Sequence, residues 1–238
     1  EKTMNEYENL IINTTSFDFN DLKEMHIYSW LILTFQNLGI LQHVAKFYNK
    51  LHSIKFVDFY EEFLKYCRTE KSIFSEEYQK FEKHIEQGYA GNGWDHYDSN
   101  LSDINWPIEE ATWLRLVSKK DKLAQEMYLF LRFFDNKFEY TTSEEVLKDL
   151  IKFQILLLTT YEKNEYKSEN IKFNWKEFFL DNENLQIKQV VYIVRNKIRE
   201  SHYVDWCEKV MWHGRHLNKQ KTSISDIDIK EITSGLIQ

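Results

Sequence analysis

The stretch Phe56-Val57-Asp58-Phe59-Tyr60-Glu61-Glu62-Phe63-Leu64-Lys65-Tyr66-Cys67 decides the reading of the fold. Phe56, Phe59, Tyr60, Phe63, Leu64 and Cys67 recur at the three- and four-residue spacing of one helix face, with carboxylates and a lysine between them. Residues 40–52 repeat the pattern with Leu41, Val44, Ala45, Tyr48 and Leu51, and so short a connection implies antiparallel packing of the two helices. Further upstream, Asp18 or Asn20 offers a cap for a helix carrying Leu22, Met25, Ser29, Ile32, Phe35 and Gln36, which Gly39 stops. The second half of that helix is almost wholly apolar, so burial on several sides is expected.

Downstream, Ser75 caps a helix reaching Gln87 and ending at Gly88. Pro107 opens another through Val117, with Glu109 and Glu110 in its first turn. Leu123, Met127, Phe130, Leu131 and Phe134 mark a helix over 122–134, and Ser143 caps one running to Tyr161 with Leu147, Leu150, Ile151, Gln154, Leu157 and Leu158 inside. After Asn164 the segments shorten: 171–174, a turn of helix at 175–180 and a β-branched run over 187–194. Residues 203–212 read as a last helix ended by Gly214, followed by a polar, frayed remainder. Residues 7–15, with Leu10-Ile11-Ile12, read as a strand entering from a preceding domain. The expected fold is therefore mainly α: an irregular multi-helix domain with a small β element contributed by that N-terminal strand and 187–194. One domain over 1–238 is expected, with a helical core at 18–163 and a smaller mixed subregion at 164–216. Residues 1–9 show neither cap nor apolar period, as expected at the edge of a fragment of a larger protein.

Composition narrows the function classes. A net charge of −7 with scattered lysines gives no continuous basic stripe, which argues against a dedicated nucleic-acid module. An aromatic content of 16% places Phe, Tyr and Trp at the centre of the core. Cys67 and Cys207 lie singly within helical patterns, and the apolar runs are too short for a membrane span, so a reduced, soluble, cytoplasmic protein is expected.

The pattern breaks over residues 88–107, which hold three of the six glycines and the single proline. A structureless segment of this length inside a domain is expected to be functional or mobile. It carries Trp94, Asp95, His96 and Tyr97, a stacking ring beside titratable groups, suited to sugar or nucleotide recognition; the other reading is a loop anchored by Trp94 on the core. Trp106 joins these as a substrate-binding candidate.

Glu109 and Glu110 could serve as acid and base or hold a cation, but adjacent carboxylates diverge on a helix and equally complement its dipole. Arg215 could bind phosphate or carboxylate, or satisfy helix C-terminal carbonyls. His213 and His216, near His202 and Glu208, have no third metal ligand fixed by spacing. His26, His43 and His52 occur singly in helical patterns and read as packing or surface residues. No P-loop, dinucleotide or Gly-x-Ser-x-Gly signature is present, so neither a catalytic nor a metal-binding residue is assigned.

Four strings carry a resemblance: Tyr28-Ser29-Trp30 leading to Thr34-Phe35-Gln36-Asn37-Leu38-Gly39; Ile104-Asn105-Trp106-Pro107-Ile108-Glu109-Glu110-Ala111; Leu150-Ile151-Lys152-Phe153-Gln154; and Val210-Met211-Trp212-His213-Gly214-Arg215. In order and spacing they resemble the C-terminal helical region of cobalamin-binding radical-SAM proteins. The resemblance implies an accessory domain that contributes substrate binding or channel closure. Cobalamin, S-adenosylmethionine and the [4Fe-4S] cluster would be held by upstream domains of the same polypeptide, which are its implied partners together with a small-molecule substrate. The chain has no CxxxCxxC, and at Asp95-His96 it lacks the spacing and glycine of the Asp-x-His-x-x-Gly element of cobalamin domains. Two other readings stand beside this one: a stand-alone helical protein-interaction module, and a metal-dependent hydrolase using His and Glu residues of the C-terminal half.

Overall fold

The computed structural model describes residue 11 and residues 13–231. Helices α1 (Phe19–Leu31), α2 (Gln42–His52), α3 (Phe56–Thr69), α4 (Ile73–Gln87), α5 (Ile108–Val117), α6 (Lys120–Phe138) and α7 (Glu144–Leu157) lead into strand β1 (Tyr166–Phe173), helix α8 (Trp175–Leu180), strand β2 (Ile187–Arg195), helix α9 (Tyr203–Cys207) and strand β3 (Asp228–Glu231). The three strands form an antiparallel sheet in the order β1-β2-β3. The fold is mainly helical with a small β element, as the apolar spacing predicts.

The helix faces follow the sequence where large apolar side chains set the period. Phe59, Tyr60, Phe63, Leu64 and Cys67 of α3 are buried, as are all the expected inner residues of α6 and of α7 together with Leu158, which follows it. Leu51 and Phe56 lie at the exposed α2–α3 corner instead. Across α1 and the turn that follows it the buried stripe is Ile27, Trp30, Leu31, Thr34 and Phe35, and Met25 and Ser29 of the expected spacing are exposed. That stripe keeps one helical period through the π-helical turn over Ile32–Asn37 and lies opposite the face that holds Met25. The cap of helix α4 lies three residues before the expected one. Ser72 is its N-cap, and Ser75 closes a reciprocal pair of hydrogen bonds with it, each hydroxyl accepting from the other residue's backbone N–H.

The β element differs from expectation in its partners. Segment 187–194 does form a strand, but it pairs with 166–173 on one side and 228–231 on the other. The expected N-terminal strand over 7–15 falls mostly outside the described residues; Ile11 and residues 13–15 are not in a strand. Val190, Tyr192 and Val194 of β2 and Lys167, Ile171 and Phe173 of β1 point inward. The residues after Gly214 are integral to the fold rather than frayed. Thr159 N–H donates to the Gln220 carbonyl at 2.9 Å and Thr222 N–H to the Leu157 carbonyl at 2.8 Å, and Thr222, Ile224 and Ile227 are buried.

Helix α7 is the common neighbour. One cluster of buried side chains runs from Ile27 to Ile227, and polar groups of α7 tie its parts together. Gln154 accepts from His43 N–H and donates to the Gly39 carbonyl, both at 2.8 Å, which fixes the α1–α2 turn. Gly39 has φ +93° in that turn, a conformation that favours glycine. Asp149 accepts from the backbone N–H groups of Lys172 (3.0 Å) and Phe173 (3.1 Å) and from the Trp175 indole (2.9 Å), where β1 bulges into α8. Buried Lys167 of β1 donates to the C-terminal carbonyls of Leu156 and Leu158, and burial pushes its ammonium down to about 8.

Asp149→Ala strands two buried donors and a half-buried one, and a loss of about 3 kcal/mol or more is expected in chemical denaturation. Glu145→Ala removes an exposed ion pair to Lys172 nearby and is expected to cost about 0.5 kcal/mol or less. Similar losses for the two variants would contradict this role for Asp149.

Candidate functional site

The segment expected to be structureless is closed on itself and on the helices. Helix α4 continues through a π-helical turn over Gly88–Asn92, and Gly91 and Gly93 then take positive φ. Trp94 turns back over Gly88, where a Cβ would meet the indole at 2.5 Å, so the close approach requires glycine there. The ring stacks on His26 of α1 at a centroid distance of 5.5 Å and meets His84 and Tyr89 edge-on at 5.7 and 5.3 Å. Tyr97 pairs with Asn105 as an antiparallel bridge, and Trp106 N–H donates to the His96 carbonyl at 2.8 Å. Asp98 turns the tip: its side chain accepts from Asn100 N–H at 3.1 Å and its carbonyl from Leu101 N–H at 2.9 Å. Leu101 and Trp106, at 1% and 2% exposure, anchor this ribbon in the core.

One guanidinium locks the segment to the helices. Arg115 of α5 makes paired bonds to Glu77 of α4, Nε to Oε2 at 2.9 Å and Nη2 to Oε2 at 2.6 Å, and its Nε also reaches Oε1 at 3.1 Å. Its Nη1 donates to Asp98 Oδ2 at 3.2 Å and lies 3.0 Å from His96 Nε2. The Arg115 side chain is 11% exposed and that of Glu77 6%, so the charges are screened little by solvent. Burial would raise the Asp98 carboxyl, but Asn100 and Arg115 hold it below its ordinary value. Burial first and the Arg115 charge second push His96 down to about 4. Burial also lowers His84 and His26. His96 is thus neutral at pH 7 and accepts from Arg115.

A second cluster joins α5 to the segment after α9. Arg215 Nη2 donates to Glu110 Oε2 at 2.8 Å, and the guanidinium lies 5.0 Å over the Trp212 ring, which meets Trp106 edge-on at 6.4 Å. Burial raises the Glu110 carboxyl and the Arg215 charge opposes the shift. Of the sequence candidates, Trp94 and His96 therefore meet around His84, while Trp106 and Arg215 meet through Trp212. Asp95 and Glu109 make no hydrogen bond or ion pair among the described residues. Trp94, Tyr97 and Trp212 remain 38%, 57% and 45% exposed.

Sequence reasoning missed Arg115, Glu77, His84 and Asp98. A guanidinium inside Trp113-Leu114-Arg115-Leu116-Val117 was the readable signal, since a charge in an apolar helix run needs a buried partner. Among the described residues, no three His, Cys, Asp or Glu side chains are grouped to hold a metal ion, and His213 and His216 belong to no such set. Cys67 and Cys207 are buried and free; burial raises both thiols, Cys207 to about 12, which suits packing rather than ligation of a cluster. No protein-family model matches the chain, and no curated protein matches it.

Removing Arg115 as Arg115→Met leaves two poorly solvated carboxylates without their main counter-charge, and a loss of about 3 kcal/mol is expected on denaturation. A loss below about 0.5 kcal/mol would sink the lock. The imidazoles set a pH dependence. Unfolded histidines protonate near 6.5, whereas His96 and His43 protonate only near 4 and 3 when folded, burial being the main cause in both. The unfolded chain then binds more protons below pH 6.5, so stability should fall as pH drops from 6.5 towards 4 and stay level just above 6.5. His96→Gln should flatten that slope in melting temperature against pH; an unchanged slope would contradict the assignment.

Proposed function

We propose that this chain is the accessory C-terminal domain of a cytoplasmic cobalamin-dependent radical-SAM enzyme, and that its segment 88–107 faces the substrate and helps to close the channel. The reading joins the resemblance carried by the four sequence strings to one structural observation: segment 88–107 is pinned by Arg115 yet leaves Trp94 and Tyr97 exposed, with Asp95 unpaired beside them. A fixed backbone that presents rings and a free carboxylate suits recognition of a polar, ring-bearing metabolite such as a saccharide.

The ionisable groups behind these rings are already committed. Glu77 and Asp98 neutralise Arg115, Glu110 neutralises Arg215, and His96 stays neutral near pH 7. The domain's part is therefore binding and exclusion of water, with cofactor chemistry assigned to the upstream domains. Among the described residues no helix is long and apolar enough to cross a membrane, which accords with a cytoplasmic enzyme.

The test uses the full-length polypeptide reconstituted with cobalamin and an iron–sulfur cluster. Reductive cleavage of S-adenosylmethionine is expected, together with consumption of a metabolite from a cell extract. Trp94→Ala should raise KM for that metabolite about tenfold while substrate-independent cleavage is unchanged. A full-length protein that cleaves no S-adenosylmethionine would overturn the reading, and so would unaltered kinetics in the Trp94 variant.

A further inference from the structure

The C-terminal subregion carries a feature that the accessory role does not use. Lys163, Lys197, Arg199, Lys209, His213 and Lys219 line a cleft of about 700 Å³ with Ile198 and Glu200. Five cationic side chains and one carboxylate thus share a concavity in a chain whose net charge is −7. Such a concentration of one sign in a cleft focuses the local field and favours an anion.

The cations come from four separate pieces of chain, and the fold holds them together. Lys163 follows α7, and Lys197 and Arg199 follow β2. Lys209 and His213 belong to the π-helical turn after α9 and its end, and Lys219 returns beneath them. Gly214 permits that return: a Cβ there would lie 2.6 Å from the carbonyls of Lys209 and Val210 and 2.9 Å from the Lys219 Cβ. Lys197 is held in place by donating to the Lys221 carbonyl at 2.8 Å.

Four carboxylates, Glu200, Glu165, Asp226 and Asp205, act on these five cations and leave a small surplus of positive charge. Glu200 pairs with Lys209 at 2.6 Å, and Glu165, at 3.6 Å, pairs with Arg199. Lys163 and Lys219 have no carboxylate or side-chain hydrogen-bond partner among the described residues. Burial disfavours the Lys197 ammonium more than Asp226 favours it, so a bound anion would relieve a standing cost.

We infer that this cleft is a binding site for a phosphate-bearing small molecule. Several converging ammonium groups and one guanidinium match the clustered, multiple charge of a diphosphate better than a single carboxylate. A volume of about 700 Å³ falls in the range of small-molecule sites. Adjoining clefts share Lys197 and add Arg195, Lys46 and Lys221, so the basic surface continues past this concavity, and the oligonucleotide arm of the test separates a nucleic acid from a small phosphate-bearing ligand. The inference is independent of the accessory role proposed above.

Calorimetric titration of the purified chain at low ionic strength tests it with three probes: inorganic pyrophosphate, citrate as a polycarboxylate, and a short single-stranded oligonucleotide. Pyrophosphate is expected to bind saturably with Kd below about 1 mM, and citrate and the oligonucleotide at least several-fold more weakly. The double substitution Lys163→Gln with Lys219→Gln should weaken pyrophosphate binding tenfold or more without changing the melting temperature, since neither side chain has an internal partner. The control pair Lys148→Gln with Lys152→Gln on α7 should leave binding unchanged. Absence of saturable pyrophosphate binding, undiminished affinity in the double variant, or equal affinity for citrate or the oligonucleotide would overturn the inference.

Discussion

The carboxylate of Asp149 joins the helical and β-containing parts of this protein. It is buried, and it accepts the two backbone N–H groups that the bulge at the end of β1 leaves turned away from β2, together with the indole N–H that starts α8. A buried carboxylate is costly when it stands alone and tolerable when several donors converge on it. Those donors converge only if β1, α8 and α7 are all in place, so the interaction couples three consecutive elements. Gln154, little more than one turn further along α7, does the same for the α1–α2 turn. A single helix thereby positions the sheet on one side and the first helices on the other.

Arg115 plays the equivalent part for the outer segment. Its guanidinium has enough donors to hold Glu77 through paired bonds and still reach Asp98 and His96. A lysine would provide one point charge and could not span the same set. The result is a long connection whose ends and middle are fixed, with aromatic rings left outside. That combination underlies the proposed recognition role, because ordering such a segment only on binding would oppose affinity.

Local chemistry made much of the helical framework legible. In α3, α6 and α7 the apolar residues are large and their spacing is regular, so burial follows the period. Where it failed, a non-local or non-α feature intervened. In α1 two faces carry apolar residues, and tertiary packing buries the one with Ile27, Trp30 and Leu31 and leaves the opposite one, with Met25, at the surface. Only the 171–174 end of strand β1 was legible, because its inward residues further back include Lys167, whose ammonium is satisfied by carbonyls of α7 rather than by anything adjacent in sequence. Residues 220–227 looked frayed because Gln220 and Thr222 are polar, yet their backbone pairs with 157–159. In the candidate site, Trp94 and His96 stood out as residue types, whereas their supports, Glu77 and His84, were unremarkable helix residues until α4 and α5 were brought together.

The account turns on segment 88–107 being preorganised rather than mobile. Native-state hydrogen exchange measures this directly. The amides of Leu101 and Trp106, which donate to the carbonyls of Asp98 and His96, should exchange slowly, with protection approaching that of the buried turns of α4. In Arg115→Met that protection should drop while the amides of α7 remain slow. Exchange of Leu101 and Trp106 at the rate of an unstructured peptide in the unsubstituted protein would contradict the account.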